Sequence, residues 1–195
     1  MAVAAARELE APASAQPLIP VRGLIPVAAI LVGLVATIAS DWTWGLDFFH
    51  VVGGGMWTAL DLFMGFVIGP IMRSLPVPAR VELTKRLMPR MLLIMPTLVT
   101  MTLAAGFQLA RHNGMLSTSY GRHGWVVASM VVVAVMAMVA LALLQPANIA
   151  VLFELRKPQP NPAIVQSLMR RFIYAAGVTG AMQVATLVIM TRLAT

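Results

Sequence analysis

Few residues in this chain are equipped for chemistry, and most of them fall on one stretch. His50 is followed by Gly53, Gly54 and Gly55, then by Trp57, Asp61, Gly65 and Gly69. On a helix His50, Gly54, Trp57, Asp61, Gly65 and Ile68 advance by threes and fours, so they share one stripe. Imidazole ligates copper, zinc or haem iron. His50, Gly54 and Trp57 would then form a cofactor-binding face, with glycine letting a flat group or another helix approach the backbone. The candidate metal ligands are His50, His112, His123 and Asp47, of which Asp47 precedes His50 by three residues. His112 and His123 have a plainer reading as ordinary residues of a Gly/Ser-rich turn. Asp61 would lie near mid-membrane. There it is either a proton relay or cation site, or a structural acid bonded to a neighbouring helix through Thr97, Thr100, Gln108 or Gln183.

Several chemistries lack their residues. The chain has no cysteine, which removes disulfides, thiolate metal sites and thiol catalysis. It also has no phosphate-cradling Gly-Lys-Ser/Thr motif and no His pair at helical ligand spacing. No catalytic residue is assigned, and the chain is expected not to be a catalyst on its own. Fifteen methionines could ligate soft copper, but they suit an adaptable apolar interior better.

The elements that must position these residues follow from composition. With 59% hydrophobic and 11% charged residues, the chain is far more apolar than a soluble domain, where about 25% are charged. The expected fold is all-α, an integral membrane bundle of about five transmembrane helices. Spans are expected at about 24–40, 48–72, 90–110, 125–146 and 171–193, after a cytoplasmic tail over 1–22. The fourth span has room to continue beyond Pro146 to Leu155 as a kinked extension. Thr37-Ile38-Ala39 resembles a signal-peptide cleavage site, but the first span reads as a retained anchor.

The net charge of +7 does not point to nucleic acid, because the basic residues sit between apolar runs. Of the fourteen Lys and Arg, all but Arg111, Arg122 and Arg192 fall on one side of the five-span arrangement. Basic loops favour the cytoplasm, so the N-terminus is expected inside and the C-terminus outside. Trp42, Trp44 and Trp125 then fall at the outer boundary, where amphipathic rings favour the interface.

The stretch Phe49-His50-Val51-Val52-Gly53-Gly54-Gly55-Met56-Trp57-Thr58-Ala59 resembles the helix that marks CopD-like (copper-resistance D and HemJ-like) inner-membrane proteins. In that group the helix begins with His and carries Trp seven positions later. Arg86 to Gly106 is similar to the following span, so the resemblance covers roughly residues 45–110. Ala59 stands where the pattern usually has glycine, and Asp61 lies outside the pattern. The resemblance implies a multi-pass inner-membrane protein holding haem b or copper near its outer face through His50, in electron transfer or metal handling. The alternative is a cofactor-free structural or assembly subunit, and a third reading is a proton-coupled transporter built on Asp61. Expected partners are the lipid bilayer and other membrane subunits or further copies of the chain, with no nucleic acid.

Overall fold

A computed structural model of the chain describes residues 21–195; most of the expected N-terminal tail lies outside them. The described residues form helices and no strand, with five segments long and apolar enough to cross a membrane. In a bilayer only a structure that bonds its own backbone is stable, and a helix does so within one segment. The five are α1 (Val21–Ala39), α2 (Thr43–Ser74), α3 (Val77–His112), α4 (His123–Leu155) and α5 (Pro162–Ala194).

The helices are longer than the apolar runs that announce them. At 36 residues α3 is about 54 Å long, against about 30 Å of hydrocarbon. It begins at Val77 instead of near residue 90, and α5 begins at Pro162 instead of near 171. Hydropathy detects only what must sit in lipid, whereas helix formation continues into the polar boundary. Local chemistry sets these starts: Pro78 sits in the first turn of α3, and Asn161 Oδ1 accepts from the Ala163 N–H at the start of α5.

Successive helices run antiparallel and sort the charges by end. One end carries Arg111, Arg122 and Arg192 with Trp42, Trp44 and Trp125, all three tryptophans being exposed. There Trp42, Trp44 and Phe48 form a stack with ring centroids 5.2 and 5.5 Å apart. At the same end Arg122 Nη1 donates to the Leu193 carbonyl at 3.2 Å, tying α4 to α5. The opposite, Arg-rich end holds the larger core cluster, into which Met64, Met72, Met88, Met91 and Met169 are buried. These methionines fill space between helices, as the plainer reading of the composition expects.

Two helices contain a wide turn. In α2 the segment Met64–Ile68 is π-helical, and the Gly69 N–H bonds five residues back to the Met64 carbonyl. In α4 the segment Ala140–Leu144 does the same, with the Gln145 N–H bonded to the Ala140 carbonyl. Each is followed by a proline, Pro70 or Pro146, which cannot donate and whose ring crowds the preceding turn. The expected continuation of α4 to Leu155 is present, reached through this wide turn. Beyond it, Gln145–Leu155 packs against both α3 and α5, while His123–Val139 packs chiefly against α5. The stretch His123–Val139 therefore stands away from α3.

Candidate functional site

Asp61 lies eighteen residues into the 32-residue α2, roughly 27 Å from its start. Its side chain is buried, with 3% exposure. Three donors converge on one carboxyl oxygen, Oδ2. Trp57 Nε1 donates at 3.0 Å from one turn earlier, and from α5 Thr179 Oγ1 donates at 3.1 Å and Gln183 Nε2 at 3.0 Å. Residues four apart share a helix face, which brings Trp57 to Asp61 and aligns Thr179 with Gln183. The two helices can approach because their contact is glycine-rich. A Cβ at Gly65 would lie 3.4 Å from the Gly177 Cα, and one at Gly180 would lie 3.1 Å from the Leu62 side chain.

Of the four partners expected for Asp61, only Gln183 serves. Thr97 donates to its own helix at the Leu93 carbonyl, 2.7 Å away, and Thr100 lies across a cavity on α3. No salt bridge reaches Asp61 among the described residues.

The second oxygen, Oδ1, accepts no hydrogen bond from any described residue, and Asp61 lines a cavity of about 200 Å³. The cavity lies between α3 and the stretch of α4 around its wide turn. Its α3 wall includes Pro96, Val99 and Leu103, and its α4 wall includes Ala137, Ala140 and Leu144. Trp57, Phe172 and Thr179 close it beside Asp61, while Gln145 and Asn148 place amides at the far side of the wide turn. Asn148 is 3% exposed and its Oδ1 has no hydrogen-bond partner among the described residues; the same holds for Oε1 of Gln183. A buried polar atom without a partner costs roughly 1–3 kcal/mol, so the site is built with unused acceptor capacity.

The histidines do not converge. Among the described residues there is no group of three or more His, Asp or Glu placed to hold a metal, so His50, His112, His123 and Asp47 are not one ligand set. His112 Nδ1 pairs with Asp41 Oδ2 at 3.2 Å, and its Nε2 lies 3.1 Å from Thr43 Oγ1; together these tie the end of α3 to the α1–α2 turn. His123 opens α4 and its Nδ1 is buried without a partner among the described residues, while Asp47 is exposed.

His50 is half-buried, with Nδ1 2.8 Å from the Thr102 carbonyl of α3. Its ring lies so close to Gly106 that a Cβ there would collide with Nδ1. The glycines after His50 do not leave a slot for a flat group. A Cβ at Gly53 would meet Thr102 Oγ1 at 2.6 Å and Met101 Cγ at 2.9 Å, so α3 occupies that face. A Cβ at Gly54 would make ordinary contact with Thr102 Cγ2 at 3.5 Å, and Gly55 is exposed.

Comparison with protein-family models, curated proteins and solved structures finds no match. The resemblance to CopD-like proteins thus rests on its own residues alone. Sequence reasoning missed Asn148 and the role of Thr179. The signal for Thr179 was its shared face with Gln183; the signal for Asn148 was an amide one turn beyond Gln145 in an otherwise apolar helix.

Proposed function

We propose that this is a multi-pass membrane protein that handles a proton or small cation at Asp61, within the bilayer. One observation carries the reading: Oδ2 of a buried carboxyl is fixed by three side-chain donors, while Oδ1 is left without a donor beside a cavity. A purely structural acid would be expected to use both oxygens. Ionisable groups in a span are costly and face protein or a cavity, and such placement supports a functional role. By the charge asymmetry we place the protein in the inner membrane with its Arg-rich end in the cytoplasm. Five helices make a poor transporter alone, so the site is proposed to work in an assembly with other subunits or further copies of the chain.

Reaction with a membrane-permeant carbodiimide, which attacks carboxyl groups in apolar surroundings, tests the reading. Mass spectrometry of the digested protein should find the adduct on Asp61, and none at that position in Asp61→Asn. Absence of an adduct on Asp61 in the native protein overturns it.

A second reading keeps haem b or copper at His50. It is supported by the Nδ1 contact with the Thr102 carbonyl, the kind of outer partner that orients a ligating imidazole and leaves Nε2 for a metal. The space taken by α3 and the lack of converging ligands count against it. A Soret band lost in His50→Ala would establish it. A purified protein without haem or copper would dismiss it.

A further inference from the structure

We infer that the Asp61 cavity takes a small lipophilic amine, a cationic head on an aryl or short alkyl body, arriving sideways from the lipid. This rests on the reading of Asp61 as a cation-handling acid and names the class of cation. The cavity wall includes one carboxyl group and no Lys, Arg or His, so its charge complements a cation and repels an anion. Two acceptors on the cavity wall have no partner among the described residues, Oδ1 of Asp61 and Oδ1 of Asn148, and an ammonium supplies the donors they lack. Asn148 is the second, independent sign of a ligand: it is buried, it lines the cavity, and it has nothing to accept from.

The rest of the wall is apolar and sets the body of the ligand. Trp57 and Phe172 are part of the wall, and aromatic rings attract a cation as well as hydrocarbon. A dry cavity of about 150 Å³ holds a benzene ring, so about 200 Å³ leaves room for one ring and a short amine arm. A hydrated inorganic ion would leave most of this apolar wall unused. The route is lateral because Leu141 of α4 is 70% exposed and Thr100 of α3 is exposed, and both border the cavity. In a bilayer that exposure faces acyl chains, where a lipophilic amine partitions.

The test compares phenethylamine with 2-phenylethanol and phenylacetate, which share its ring but differ in charge. Binding to the full chain in lipid nanodiscs is measured by calorimetry at neutral pH, alongside protection of Asp61 from the carbodiimide. The amine should bind at least about ten-fold tighter than the alcohol, the size of one charge-assisted hydrogen bond. Phenylacetate should not bind, and the amine should slow the carbodiimide. In Asp61→Asn the preference for amine over alcohol should vanish. Ala140→Phe narrows the cavity from its α4 wall and keeps the carboxyl group. It should weaken amine binding and slow the carbodiimide together, and amine binding unchanged in it overturns the cavity as the site, which keeps the test sound if Asp61→Asn fails to fold. Equal binding of amine and alcohol, or a preference that survives in Asp61→Asn, overturns the proposal. Reaction of Asp61 without protection by amine overturns the ligand class and leaves the acid's role standing. Absence of reaction at Asp61 removes both.

Discussion

At Asp61 the three donors are not equal, because Thr179 has somewhere else to go. Its hydroxyl also lies 3.1 and 3.0 Å from the carbonyls of Ala175 and Ala176 on its own helix. Trp57 Nε1 and Gln183 Nε2 have no second acceptor among the described residues. Trp57→Phe and Gln183→Leu should therefore each destabilise the protein by about 1–2 kcal/mol, and Thr179→Val by less than about 1 kcal/mol. Unfolding in mixed micelles, followed by circular dichroism, ranks the three. A Thr179→Val variant costing more than Trp57→Phe would show that the hydroxyl is the main anchor. The acid itself was legible in the sequence, because one carboxyl in a long apolar run must turn inward. The spacing of four put Trp57 on the same face as the acid, but the bond between them was not read from it. Of the acid's partners on α5, Gln183 stood among four candidates and Thr179 did not, since nothing in a single sequence says which helix lies opposite. The histidines stay apart for a related reason: nearness to one end of the bundle does not bring side chains to one point.

Glycines mark where helices touch, but only geometry says which ones matter. Gly53→Ala would drive a methyl into Thr102 and Met101 on α3. It should cost about 1–3 kcal/mol by overpacking. Gly55→Ala meets nothing within 4 Å and should be neutral or slightly stabilising, since alanine favours helix. Thermal unfolding of the two variants separates them, and equal effects would mean that α2 and α3 are not in contact at Gly53. From sequence alone these neighbours are indistinguishable, and the stripe drawn through His50 and Asp61 selected Gly54 instead. The number and order of helices were plain from hydropathy, whereas their ends were not. The wide turns were also hidden: Pro146 announces a kink, but not that the turn before it gains a residue.

Across the whole molecule the strongest pattern is the sorting of charge between the two ends. Since the chain has no cysteine, single introduced cysteines report sidedness without background. Ser117→Cys should react with a membrane-impermeant maleimide in intact cells, and Lys157→Cys only after the cells are opened. The reverse result would invert the orientation proposed from the basic residues.

The wide turn at Ala140–Leu144 carries its own consequence. A helix residue turns by about 100°, so deleting one residue there would restore a regular ladder and swing His123–Val139 around relative to Gln145–Leu155. The lower half, clamped between two neighbours, would hold still; the upper half would present a new side to α3. Room beside the acid is thus governed by how many links the chain has at this point as well as by the bulk of its side chains. Insertions and deletions, more than point changes, would be the natural way to retune what the gap admits.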